Sequence, residues 1–184
     1  MAESSEPSKD VPSRVNRLLK NDIIVTLLLM GLVVAGVLIF ERVLVYTLKT
    51  DYPLHTPISP SMQPTLNVGD LLIVQGVNNG EEINADEEIG DIIVFRKPTN
   101  PDEFIVHRVI EKRWNPEDEK YYLTTKGDNN RSPDPWSNRL TEDYIIGKVV
   151  WKIPLLGYVK IFLATQVGMA ITIVLLLILM LIGR

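Results

Sequence analysis

Two serines, a histidine and a carboxylate-rich loop are the residues of this sequence that could do covalent chemistry. Ser59 and Ser61 lie in TPISPSMQPTL, residues 56–66, among Pro57, Pro60 and Pro64. Prolines at this spacing exclude a helix or a central strand, so the serines sit on a stiff, irregular backbone. A serine hydroxyl is a weak nucleophile and needs an adjacent base, which must itself be oriented. Only two histidines are available, His55 and His107. His107 falls in FIVHRVI, an apolar strand pattern in which a histidine is by default a core residue with satisfied hydrogen bonds. The loop TTKGDNNRSPDPW, residues 124–136, gathers Asp128, Asn129, Asn130 and Asp134. Such a turn-rich loop can aim carboxylates at a neighbouring strand, or can equally be a capped surface turn facing water. Serine, histidine and carboxylate together point to acyl transfer.

Other chemistries fit less well. The sequence has no cysteine, which removes thiol nucleophiles, thiolate metal sites and disulfides. Two histidines cannot make a three-histidine zinc site, and no H-E-x-x-H spacing occurs. No metal or other cofactor is expected. The triplet NRS at 130–132 matches a glycosylation acceptor, but a proline follows it, and it is read as chance.

The elements that must position these residues divide the 184-residue chain. Ile23 to Phe40 is an 18-residue run without charge, roughly 27 Å as a helix and close to the thickness of a bilayer core. It is longer than the usual apolar stretch of a signal peptide, and FERVLVYTLKT after it offers no small-x-small cleavage site, so it reads as an uncleaved anchor. Ile161 to Ile182 is a second apolar run, of 22 residues. Lys9, Arg14, Arg17 and Lys20 precede the first run and Arg184 follows the second, which places both termini in the cytoplasm. The intervening segment is then extracytoplasmic. From 51 to 160 it carries 12 Lys and Arg against 18 Asp and Glu, a net charge of −6 that argues against nucleic acid as a partner. Short runs rich in Val, Ile, Tyr and Thr read as strands at 68–77, 90–98, 103–114, 120–127 and 144–153. NPEDE at 115–119 reads as a hairpin turn, and NNGEEINADEEIG at 78–90 as an acidic connector.

Five boxes in one order carry a resemblance: SPSMQPTLNVGDLLIV, GDIIVFRKP, IVHRVI, TKGDNN with Asp134 six residues after Asp128, and IIGKVVWKIPLLGY. Together they resemble the type I signal peptidases over about residues 57–158. A histidine stands where the bacterial branch has a lysine base, so the likeness is to the archaeal and endoplasmic-reticulum branch. The resemblance implies Ser61 as nucleophile and His107 as general base. It implies Asp134 and Asp128 as the acidic positions, Asp134 the better placed to orient His107. It implies Ser59 as a hydroxyl that helps to bind the oxyanion. Pro60 replaces the commoner glycine between the serines and has no N–H to give, which leaves the Ser61 N–H and the Ser59 hydroxyl as the implied donors. Family position alone separates His107 from His55 as the base.

The expected architecture is mainly β, an antiparallel sheet domain of the signal-peptidase kind flanked by two transmembrane helices. Its parts are a disordered cytoplasmic tail over 1–20, an anchor helix over 21–48, an extracytoplasmic catalytic domain over 51–160 and a C-terminal membrane helix over 161–184. The expected activity is a membrane-bound serine endopeptidase that removes signal peptides from exported preproteins after small residues of the A-x-A kind. Signal-peptide-bearing preproteins and membrane lipid are the expected partners, with other membrane subunits a further option. The alternative is a non-catalytic anchored β domain that presents substrates to a separate peptidase; such a subunit would need neither Ser61 nor His107.

Overall fold

In the computed structural model the backbone is described for residues 11–136 and 139–182, with side chains from 24 to 178 within those limits. Helix α1 runs Val11–Leu48. Residues 11–20, expected as disordered tail, are therefore helical, and residues 1–10 lie outside the described residues. The helix continues because PSRVNRLLKND places no proline or glycine after residue 12 to interrupt it. Lys49 ends it in the left-handed conformation, φ 52°. The Leu48 carbonyl accepts the Gly76 N–H at 2.7 Å, and Thr50 Oγ1 donates to the Ile146 carbonyl at 3.0 Å. The anchor helix is thus tied directly to the sheet.

That sheet has six strands, β1 (Leu54–His55), β2 (Leu71–Gln75), β3 (Ile92–Lys97), β4 (Asn100–Asn115), β5 (Lys120–Lys126) and β6 (Ile145–Ile153). Their order is β1-β2-β6-β3-β4-β5, and every pairing is antiparallel. The five runs rich in Val, Ile, Tyr and Thr are all strands, β2 to β6. The two-residue β1 was not foreseen, because prolines at 53 and 57 bracket it. Strand β3 separates two apolar clusters, as a period of two requires. Ile93 and Phe95 pack with Ile83, Val109, Leu123 and Leu140. Val94 packs from the other face with Met62, Leu66, Leu72 and Val74. Met62, one residue after Ser61, is only 1% exposed. It plugs the serine turn into the core.

The C-terminal apolar run departs from expectation. It is not one helix over 161–184 but two, α2 (Gly157–Ala164) and α3 (Gln166–Ile182), bent by 93°. Thr165 leaves helical geometry with φ −82° and ψ 148°. Its hydroxyl accepts the Gly168 N–H at 2.9 Å, which caps the start of α3. Gly168 is needed for so sharp a bend, since a Cβ there would lie 1.9 Å from the Phe162 carbonyl oxygen. Among the described residues one helix, α1, is by itself long and apolar enough to cross a membrane.

Candidate active site

Residues 59–62 form the floor of the site. Ser59 is extended and precedes a single 3₁₀ turn, Pro60–Met62, in which proline takes the first helical position that its fixed φ suits. A 3₁₀ turn uses none of its own first N–H groups, so the Ser61 N–H is not consumed by the helix. Ser59 makes no side-chain cap, and its hydroxyl lies 3.2 Å from Ser61 Oγ. The loop after β5 clamps this turn from above. Asn129 donates its backbone N–H to the Ser61 carbonyl at 2.8 Å and its side-chain amide to the Pro60 carbonyl at 3.2 Å.

His107 enters from β4, paired with Ile93 of β3. Its Nε2 is 3.1 Å from Ser61 Oγ, and its Nδ1 is 2.6 Å from Asp134 Oδ2. A carboxylate that close needs a proton on Nδ1, which leaves the Nε2 lone pair free to accept one from Ser61. The same Oδ2 accepts the Thr125 hydroxyl at 2.7 Å, and the Asp134 N–H donates to the Thr125 carbonyl at 2.8 Å. Thr125, on the last part of β5, thereby fixes the carboxylate against the imidazole. The His107 and Asp134 side chains are 8% and 5% exposed, so their interaction is little screened by water.

Asp128 is turned elsewhere. It accepts both Nε and one terminal nitrogen of Arg108 at 2.9 and 2.7 Å, while Arg108 also donates to the Gly90 carbonyl at 2.7 Å. Burial alone would push the Asp128 carboxyl up. The Arg108 and Thr65 hydrogen bonds, with the nearby charges of Arg108 and His107, outweigh it and hold the group below the usual carboxylate range. The Asp128 pair thus fixes the loop that carries Asn129. Asp128→Asn is expected to destabilise the fold by about 1 kcal/mol and to slow cleavage through loop mobility, read by thermal melts and kcat.

Thr125 and Gly127 carry no signal of a role in the sequence, and Asn129 stands out there only as one of the polar residues of the loop. Gly127 lies where three parts of the site converge. A Cβ there would stand 2.6 Å from the Ser61 carbonyl oxygen and 2.9 Å from His107 Nε2. Gly127→Ala should therefore push serine and histidine apart, lowering kcat on the order of 100-fold and destabilising the fold by about 1–3 kcal/mol, read by kinetics and thermal melts. His55, the other candidate base, packs against the rings of Tyr52 and Phe104, 6.3 and 5.3 Å between centroids. Its Nε2 is buried and finds no hydrogen-bond partner among the described residues. Burial, and then the charge of Lys160, lowers its pKa from 6.5 to about 4. The structure brings Ser59, Ser61, His107 and Asp134 into one chain of contacts and leaves His55 and Asp128 outside it.

A cleft of about 600 Å³ opens over Ser61 and His107, walled by residues 52–59, by 102–106 of β4 and by Lys160, Ile161 and Ala164 of α2. No group of three His, Asp or Glu side chains among the described residues is placed to hold a metal ion.

Comparison with known proteins finds relatives of this sequence. The family model described as signal peptidase, peptidase S26, matches residues 23–111, a stretch that contains Ser59, Ser61 and His107. The signal peptidase complex catalytic subunit SEC11 of Chaetomium globosum is 33% identical over 139 residues, 73% of this chain and 77% of the relative. The SEC11 subunit of Neurospora crassa is 32% identical over 145 residues, 76% and 80% of the two chains. That of Fusarium vanettenii is 37% identical over 117 residues, and there the match spans 61% of this chain and 64% of the relative's length. With a serine turn, a buried histidine and the SEC11 subunits aligned over most of its length, the chain belongs to the peptidase S26 family of signal peptidases, in the branch of the SEC11 catalytic subunits.

Proposed function

We propose that this chain is a membrane-anchored serine endopeptidase that removes N-terminal signal peptides from exported preproteins, cutting after small residues of the A-x-A kind. The observation that carries the reading is the contact chain from Ser61 Oγ through His107 to Asp134, 3.1 and 2.6 Å, at the floor of an open cleft. Ser61 Oγ attacks the scissile carbonyl carbon and gives its proton to His107 Nε2, while Asp134 stabilises the imidazolium. The tetrahedral oxyanion is held by the Ser61 N–H and the Ser59 hydroxyl, donors already aimed before reaction. Collapse breaks the C–N bond, and His107 passes its proton to the leaving amine. Water, deprotonated by His107, then releases the acyl group from Ser61. Asp128 supports this machinery by holding the Asn129 loop and does not contact the base.

The substrate is bound as an extended strand. The alternating ladder supports this, because β5 pairs with β4 only from Arg108 onward. The Val109 N–H faces the β3 side, donating to Asp91, so the backbone groups of Phe104 and Val106 face the cleft unpaired by any strand among the described residues. Helix α1 anchors the chain, and α3, about 25 Å long, forms a second span with both termini in the cytoplasm. Exposed Trp151, Leu155, Tyr158 and Val159 near α2 favour a catalytic domain resting on the outer leaflet. The relatives named above are subunits of a signal peptidase complex, and partner membrane subunits are proposed here as well. Product mapping tests the reading. Full-length protein in detergent, given a preprotein with alanine at both small-residue positions, should yield a mature chain that begins directly after the second alanine. No cut, or a cut away from that motif, contradicts it.

A further inference from the structure

Strand β1 presents an edge whose hydrogen-bonding groups can be assigned one by one. The Pro53 carbonyl accepts from Val74 at 2.9 Å and the Pro57 carbonyl from Gly69 at 3.2 Å, so the odd positions face β2. By alternation Leu54, Thr56 and Ile58 turn their backbone groups outward, to the cleft that β4 closes from the other side. One of these outward groups is already taken. Lys160 Nζ, reaching over from α2, donates to the Leu54 carbonyl at 2.9 Å. Lys160 also borders the apolar hollow between α1 and α2, lined by Val37, Phe40, Leu44 and Leu163. It therefore stands at the boundary between the extended-strand cleft and the membrane-facing side. Its partial burial holds its pKa below that of an ordinary lysine.

We propose that Lys160 is a specificity-determining residue that ends the substrate strand, and that it selects preproteins with a short polar stretch between the apolar segment and the cut. The inference rests on the signal-peptidase reading and adds to it the feature of the substrate that is measured. A peptide lying with its scissile bond at Ser61 can pair with Ile58 and Thr56. At Leu54 it meets an ammonium instead of a free carbonyl, so extended pairing stops there. Beyond that point the chain is no longer held as a strand and passes to the apolar side of α2. A longer polar stretch gains nothing from the edge beyond Thr56 and carries unpaired polar groups toward the apolar hollow beside Lys160, which disfavours it.

The test uses full-length protein in lipid nanodiscs and one preprotein whose polar stretch is lengthened by two and by four residues. Wild type should lose kcat/KM as the stretch grows. Lys160→Met frees the Leu54 carbonyl and should restore the longest substrate by roughly tenfold relative to the shortest, as one or two added backbone hydrogen bonds would, through KM rather than kcat. Lys160→Arg, which keeps a donor, should follow wild type. If Lys160→Met fails to fold by thermal melt, Lys160→Ala, which also has no side-chain donor, is read in its place. A change equal for all three substrates, or none, overturns the proposal and leaves Lys160 as a fastener of α2. If wild type cuts no preprotein of any length, the signal-peptidase reading itself fails and this inference falls with it.

Discussion

His107→Ala is expected to abolish preprotein cleavage, with a loss on the order of 10⁴–10⁶ in kcat, and His55→Ala to leave an active enzyme. The asymmetry follows from contacts. His107 alone touches Ser61 Oγ, and it alone has a carboxylate on its other nitrogen. His55 packs on aromatic rings and is held neutral, with a pKa of about 4. The imidazole that takes the serine proton must be neutral, so cleavage falls as the solution is acidified. Since burial holds His55 neutral down to about pH 4, its protonation does not account for an acid limb lying well above that. The sign for stability is that of any group whose pKa is lowered on folding. The unfolded chain binds a proton at His55 below about 6.5 and the folded chain only near 4, so His55 lowers stability as pH falls through that window. Asp134→Asn loses the charge that holds the imidazolium and can present the wrong tautomer to Ser61, with a loss on the order of 10⁴ in kcat. The measurement is the pH–rate profile of each variant. Full activity of His107→Ala with a dead His55→Ala would exchange the two roles.

The legible parts of this protein are those with a composition. Short runs rich in Val, Ile, Tyr and Thr between Gly, Pro, Asn and Asp gave away β2 to β6. Strand β1 could not be read, since two residues between prolines carry no alternation. The bend at Thr165 was hidden for a different reason. Composition alone sees 22 apolar residues, and a bend made by a capped threonine and a close-packed glycine changes no hydropathy. Thr165 followed three positions later by Gly168 is a local signal that could have been read as a helix start. In the site, the base was legible only through the resemblance, because a histidine in FIVHRVI looks like any core histidine. The roles of Asp128 and Asp134 could not be separated by spacing. Each lies in the same loop, and only the fold shows that Arg108 claims the first and His107 the second. Gly127, Asn129 and Thr125 act through close approach and hydrogen bonds made across the fold, which no sequence spacing announces.

The central claim is that Ser61 is the nucleophile. Ser61→Ala removes the attacking oxygen and nothing else of bulk, and Met62 still plugs the turn into the core, so the variant should fold and insert as wild type does. Its cleavage rate should fall on the order of 10⁴–10⁶-fold. Ser59→Ala, which removes one oxyanion donor, should lose on the order of 10²–10³. A chelator should change neither wild type nor variant, because neither histidine is read as a metal ligand. The decisive measurement is purified wild type beside Ser61→Ala, both matched in thermal melt, incubated with the same preprotein in the presence of EDTA, and the mature N-terminus read by mass spectrometry. The account predicts that wild type releases the mature chain and Ser61→Ala releases none. Release of the same mature chain by Ser61→Ala at a comparable rate would contradict it.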